Sequence, residues 1–338
     1  MNLQLVVDPE LEARLNLILA RVETELHAAT QFPDPIAQVS THHLMDAGGK
    51  RLRPLLALLA AQFGPLGVTS EVLDAAVVVE LIHLATLYHD DVMDLAPLRR
   101  GAPAAHEVWG NHVAILTGDL LFARSSLLMS KLGPTAVRIQ AETFERLCLG
   151  QLHETVGLPL DPATGLPGAD PVAFYLGVLA DKTASLTAAA ARLGAKFSGA
   201  PLAVQEALAA YGEALGVAFQ LADDVLDFTA VNSGKALGTD LRDGVATMPV
   251  LLLQQRVGAG TATAAEVDLV AALQGDLTDD AVLANVVAQI RDSDALAATL
   301  EAARTWSAQA VAALADLPQS PQKQALTNLA EAVITRTA

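Results

Sequence analysis

Apolar residues recur along this chain at helical spacing, and capping and breaking residues cut the pattern into segments. Asp8 followed by Pro9 supplies an N-cap and a residue suited to the first helical turn, and predicts a helix to about His27. A second helix should end at Gly48–Gly49, and a third should run from near Pro54 to a stop before Gly64–Pro65. One long apolar helix is predicted from Ser70 to Leu95, closed by Pro97. Another runs from near Asn111 to Leu132, where Gly133–Pro134 breaks it, and Thr135 to about Thr155 is helical again. Residues 157–169, rich in Gly and Pro, form the clearest loop. Asp170–Pro171 repeats the cap-plus-proline start of a long helix. A helix from about Ala203 to Asp227 leads into a polar loop at 231–244, with shorter helices beyond. No stretch sustains the period-two alternation of a strand, and no composition shift marks a linker. The expectation is an all-α chain forming a single domain over residues 1–338.

Composition supports that picture. Fifty-two per cent of the 338 residues are hydrophobic, ample for a core, and the dominance of Ala and Leu favours helices. The formal net charge of −17 argues against nucleic acid as a partner but leaves room for a phosphate ligand held by a few fixed cations. The single cysteine, Cys148, precludes an intramolecular disulfide and reads as a small core residue. MNLQLVVDPELEARL shows no basic flank before an apolar run, so no signal peptide is expected. Apolar stretches are interrupted by residues such as Glu80 and His83, so no membrane span is expected and the cytoplasm is the expected location.

The chemistry sits in an internal echo, HDDVMD (89–94) against ADDVLD (222–227). Each places Asp at i, i+1 and i+4, within an arc of about 100° near the C-terminal end of a long apolar helix. Three carboxylates so close repel unless cations lie between them, and hard divalent cations such as magnesium take oxygen ligands and recruit phosphate oxygens. A solvated acidic helix face is the ordinary explanation for one such cluster, and two with matched spacing weaken it. Basic residues flank the echoes: Lys50, Arg51 and Arg53 in GGKRLRP, Arg99 and Arg100 after the first, Lys182–Thr183 in an apolar helix, and Lys235 after the second. Arg suits bidentate phosphate contact and Lys supplies a point charge.

These segments resemble the trans-isoprenyl diphosphate synthases, the polyprenyl synthetase family. The resemblance covers GGKRLRP, ELIHLATLYHDDVMDLAPLRRG (80–101), WGNHVAILTGDLLFAR (109–124), GQLHE (150–154), DKTASL (181–186), FQLADDVLD (219–227) and GKALGTDLRDG (234–244), in the family's order from about residue 45 to 250. Residues 251–338 would be a helical C-terminal part. The resemblance implies a bundle of long helices around a deep apolar cavity, of isoprenoid synthase type, with both aspartate-rich motifs at its mouth. It implies that Asp90, Asp94 and Asp223 bind Mg2+ directly, with Asp91, Asp224 and Asp227 as ligands or orienters. It assigns Arg99, Lys182, Thr183, Gln220 and Lys235 to the allylic diphosphate, and Lys50, Arg53, His83 and Arg100 to isopentenyl diphosphate. Asp240 matches an acidic position that orients a lysine or a metal-bound water, and Val245 departs from the Lys that many relatives carry there. The implied reaction is ionisation of the allylic diphosphate, condensation with isopentenyl diphosphate, and loss of a proton to the departing diphosphate. A homodimer is implied as well, with only transient membrane contact for product release.

Three rival readings share parts of this pattern. A terpene cyclase would usually carry an Asn/Ser/Glu-type second metal motif, and a non-catalytic subunit of a heteromeric synthase would lose one acidic cluster. A ferritin-like di-iron bundle, suggested by Glu80 and His83, needs a second Glu-x-x-His pair that the chain lacks. His43, His106, His112 and Trp109 read as surface or packing residues. The resemblance implies that the positions one turn before the first cluster set the product length. Ala85 and Thr86 are small, and the cluster has no insertion, which points to a medium or long all-trans product, such as a quinone side-chain precursor. Geranylgeranyl or farnesyl diphosphate is the shorter alternative. Tyr88 could block a different wall, and Phe144, seven residues before Gln151, is a candidate for the cavity floor.

Overall fold

The computed structural model describes residues 8–159, 168–229 and 237–335. Asp8 accepts a hydrogen bond from the Leu11 amide at 2.7 Å and opens α1 (Pro9–Ala29), as its cap-plus-proline signal predicts. Asp34 does the same with Ala37 for α2 (Pro35–Asp46). α3 (Leu52–Ala61) starts ahead of Pro54, because Arg51, in the left-handed conformation with φ 49°, serves as its N-cap. Thr69 caps α4 (Ser70–Met93).

After α4 comes a two-residue hairpin, β1 (Leu98–Arg99) against β2 (Ala102–Pro103), with Leu98 opposite Pro103. Strands this short cannot display alternation, so the all-helical expectation missed them. There follow α5 (Ala105–Trp109), α6 (Asn111–Lys131), α7 (Pro134–Val156) and α8 (Pro171–Leu179). The long helix expected from Pro171 is broken by a π-helical turn at Ala180–Ala184 before α9 (Ser185–Phe197). α10 (Leu202–Thr229) carries the second echo, and α11 (Thr239–Arg242) lies within the stretch expected to be loop. The rest is α12 (Met248–Gly258), α13 (Ala264–Ala272), α14 (Asp280–Arg291), α15 (Asp294–Ala313) and α16 (Pro321–Thr335).

Contacts group the chain into two compact units: Met1–Glu145 with Leu186–Gly212 and Asp316–Leu326, and Arg146–Ser185 with Glu213–Ala315 and Thr327–Ala338. In the first, α4 is the central helix, buried nearly all round from Val72 to Ala85 and packed along α6 and α3. Gly118 permits the α4–α6 approach: a Cβ there would lie 2.3 Å from the His89 ring and 3.1 Å from the Ala85 carbonyl oxygen. Tyr88 is wholly buried against α2, its hydroxyl donating to the Ser40 carbonyl and accepting from the Leu44 amide at 3.2 Å. It is therefore a packing anchor between α4 and α2. In the second unit, Leu179, Ala184, Val217, Leu221, Met248 and Ala303 form one core, and Val225, Phe228, Leu253, Val286 and Ile290 belong to another.

One expectation changes. Cys148 is exposed on α7, not a core residue, because the helix turns it to the side opposite the buried Leu147 and Gly150. α6 is long and apolar enough to cross a membrane on length and composition alone, and it carries Asp119 and Arg124 within its span, so the expectation of no uninterrupted apolar stretch stands. Phe144 stands partly in the open, its ring 4.5 Å from that of Phe122 on α6.

Candidate active site

In the first unit the basic motif and the end of α4 form one electrostatic cluster. Gly48 and Gly49 both take positive φ in the turn before α3. The guanidinium groups of Arg51 and Arg100 lie on Gly49, where a Cβ would come within 2.8 Å of Arg51 and 2.9 Å of Arg100. Arg51 is buried and paired with Glu23 at 2.5 Å and Glu80 at 2.9 Å. Burial pulls its pKa down, but the two carboxylates outweigh this and hold it above the usual value. Glu80 is thus the counter-charge of an arginine, which removes it from any di-iron arrangement.

Arg53 is different. Its Nε is buried without a hydrogen-bond partner, and no carboxylate lies within ion-pair distance among the described residues. Burial lowers its pKa, Glu80 opposes, and Arg100 adds to the lowering. Arg100, fixed by bonds to the Leu44 and Gly48 carbonyls, is lowered in the same way, first by burial. His83 faces this group: burial, then Arg53, Arg100, Arg51 and Arg99, push it well below the ordinary histidine value. It is therefore a neutral hydrogen-bonding group among cations. Three of the four residues matched to isopentenyl diphosphate, Arg53, His83 and Arg100, are brought together here, and Lys50 is exposed on the same turn.

The two echoes divide their aspartates alike. Asp90 is half-buried and Asp94 exposed, one helical turn apart on one face, whereas Asp91 is wholly buried. Asp91 accepts from Arg99 at 2.6 and 2.5 Å. Burial raises its pKa and Arg99 opposes. In the second unit Asp223 and Asp227 are half-buried while Asp224 is buried. Asp224 accepts from the Tyr175 hydroxyl at 2.9 and 3.1 Å and from the first amide of α12, Met248, at 3.2 Å. Burial pushes it up to about 8 against those donors. The middle aspartate of each triad lies on the inner edge of the 100° arc and anchors, whereas Asp90, Asp94 and Asp223 present partly or fully exposed carboxylates and Asp227 keeps one oxygen buried. The presentable donors are all oxygen, a set that fits a hard divalent cation. Asp227 also accepts from the Thr239 amide at 3.1 Å, joining α10 to α11.

Lys182, in the π turn, donates to Glu154 of α7. Thr183, Gln220 and Asp240 are half-buried, Val245 is exposed, and Lys235 lies outside the described residues. Among the described residues, the three side chains whose donor atoms converge within 4.8 Å are His27, His42 and Asp46. There the His42 Nε2 meets Thr30 at 3.0 Å and the donating amide of Gln38 at 3.1 Å, which makes the trio a polar seam between α1 and α2. His43 packs edge-on against Trp109 and bonds to the Pro103 carbonyl, a packing role for both. Sequence reasoning missed Tyr175, which holds Asp224, Glu23, which pairs with Arg51, and Arg146, which holds Asp181 beside Lys182.

The family model described as Polyprenyl synthetase matches residues 34–290. The chain belongs to the polyprenyl synthetase family. Within it, the chain is 43% identical over 320 residues to nonaprenyl diphosphate synthase of Mycobacterium tuberculosis, covering 94% of this chain and 92% of that protein. It is similar to the crystal structure of geranylgeranyl pyrophosphate synthase from Corynebacterium glutamicum complexed with calcium and isoprenyl diphosphate, with a TM-score of 0.85, 41% identity, and coverage of 98% and 99% of the two chains. A decaprenyl diphosphate synthase from Rhodobacter capsulatus gives a TM-score of 0.84 at 35% identity, covering 97% and 99%. The family and all-α class expected from the motifs are borne out, as is a prenyl diphosphate synthase as the kind of enzyme.

Proposed function

We propose that this polyprenyl synthetase is a magnesium-dependent prenyltransferase of the cytoplasm, acting as one functional domain. It would condense isopentenyl diphosphate with an allylic diphosphate to give a medium or long all-trans polyprenyl diphosphate. The observation that carries the reading is the occurrence in one unit of the half-buried Asp90 and exposed Asp94 at the end of α4 and a cluster of arginines from α3 and the hairpin that includes the unpartnered Arg53 Nε. A buried guanidinium group without a partner is costly unless an anion is meant to meet it.

Asp90, Asp94 and Asp223 would hold the magnesium, which when bound neutralises charge on the allylic diphosphate as it leaves. Asp91 and Asp224 orient, through Arg99 and Tyr175. Lys182, Thr183, Gln220 and Lys235 would contact the allylic diphosphate together with Arg99. Lys50, Arg53, Arg100 and neutral His83 would hold isopentenyl diphosphate close to the reacting carbon. The retained isopentenyl diphosphate cluster speaks against a cyclase, and two intact triads speak against a non-catalytic subunit. Small residues at 85 and 86 and the relatives named nonaprenyl and decaprenyl synthase support a long product. The geranylgeranyl synthase relative supports the shorter alternative.

The test is turnover of labelled isopentenyl diphosphate with several allylic primers, with products separated by chain length. Asp90→Ala and Asp223→Ala should each lower turnover by orders of magnitude with helicity unchanged, and chelation should abolish it. Near-native turnover of either variant in magnesium would overturn the reading.

A further inference from the structure

Lys182 and Thr183 sit in the π-helical turn Ala180–Ala184, where the Ser185 amide reaches back to the Ala180 carbonyl. A π turn adds one residue to the helical ladder and rotates the side chains it carries, and it persists only where neighbours hold it. Three residues of α7, each one turn from the next, meet this turn. Arg146 donates Nε to Asp181 at 2.7 Å and Nη2 to the Ala180 carbonyl at 3.1 Å, taking the second lone pair of the oxygen that closes the wide turn. The same guanidinium grips Glu213 of α10 through bonds of 2.6 and 3.1 Å. Gly150 lies flush against the turn: a Cβ there would stand 2.5 Å from the Lys182 amide nitrogen and 2.9 Å from its Cα. Glu154 takes the Lys182 ammonium. From the α10 side, a Cβ on Gly216 would come within 2.5 Å of the Ala184 Cα.

We propose that the Arg146–Gly150–Glu154 face of α7 is a positioning surface that holds the π turn in register and so aims Lys182 and Thr183 at the allylic diphosphate. The inference rests on the reading of those two residues as allylic-diphosphate contacts. Arg146 does not need to touch substrate to do this. It fixes Asp181 and Ala180 on one flank of Lys182, while Glu154 fixes the ammonium itself in an extended pose. An ordinary α-helical register at 180–184 would swing Lys182 by about 100° around the helix axis.

The experiment compares wild type with Arg146→Lys, Glu154→Gln and Lys182→Ala. It measures KM for each substrate, kcat, and backbone hydrogen exchange across residues 178–186. Arg146→Lys keeps the charge but cannot bridge Asp181, the Ala180 carbonyl and Glu213 together. It should raise the allylic KM on the order of tenfold, as expected for lost charge-assisted hydrogen bonds. The KM for isopentenyl diphosphate should stay within about twofold and exchange in 178–186 should quicken. Glu154→Gln, a milder change on a partly exposed residue, should raise the allylic KM several-fold in the same selective way. Wild-type allylic KM in Arg146→Lys, when Lys182→Ala raises it, would overturn the positioning role alone. An equal rise in both KM values with a lowered melting temperature would also overturn it, as a merely structural loss. An unchanged allylic KM in Lys182→Ala would overturn the reading of the lysine, and the inference with it.

Discussion

Arg51 and Arg53 stand two positions apart in one motif and answer to different partners. Arg51 is saturated by Glu23 and Glu80, whereas Arg53 keeps a buried Nε unmatched. Arg53→Ala should therefore raise the KM for isopentenyl diphosphate by about one to two orders of magnitude with little change in melting temperature. Arg51→Ala leaves Glu80 buried and unpaired and should cost about 3–5 kcal/mol of stability. Thermal melts and two-substrate kinetics check both, and a wild-type melting curve for Arg51→Ala would refute the division. His83 adds a pH signature. Its folded pKa lies well below 6.5, so below that pH the unfolded chain takes up a proton that the native state refuses. Stability should therefore fall as pH drops through about 6.5, with at most about 1.4 kcal/mol per pH unit from this residue. Denaturant titrations of His83→Gln should show a flatter acid limb; the same slope as wild type would remove His83 as its source. None of this ranking was legible in GGKRLRP itself. The sequence offers three adjacent cations, and what separates them is a carboxylate 28 residues upstream and another 29 downstream.

Helix limits were legible because their determinants are local: Asp8, Asp170 and the Gly–Pro breaks act within one turn of themselves. The π turn was not, because it is imposed by Arg146 from α7, and Lys182–Thr183 looks like an ordinary polar interruption in a helix. The same contrast bears on chain length. Ala85 lies five residues before Asp90, about 7.5 Å along the axis, but it is fully buried, while Thr86 beside it is partly exposed. Phe at either position should shorten the main product towards farnesyl or geranylgeranyl length if the tail descends along α4. The two differ in cost. Thr86→Phe starts from a partly exposed position, whereas Ala85→Phe must displace close-packed neighbours, with a penalty of about 1–3 kcal/mol. Product chromatography with melting curves separates length control from damage. Unchanged product length in both variants would mean that the tail follows another wall.

At the scale of the whole molecule, the order of seven motifs identified the family, since matched segments in sequence order carry far more information than one acidic cluster. The solvent face of a helix carries no such motif, and periodicity alone cannot separate an interior helix from a partner surface in α6. Exposure decides against the interior. Leu116 is 64% and Leu127 56% exposed, Ile115 lies beside Leu116, and Val137 and Phe144 of α7 are exposed too. Apolar exposure of this extent on adjoining helices is costly in water, and a second copy of the chain is the covering we propose, by analogy with the family. Wild type should then sediment at about twice the 35.1 kDa of one chain at micromolar concentration. Leu116→Glu combined with Leu127→Glu should shift it to a monomer with helicity retained, because two buried charges without partners cost several kcal/mol in an interface. A wild-type chain that sediments as a fully active monomer would refute the homodimer. A dimer indifferent to both substitutions would place its interface away from α6.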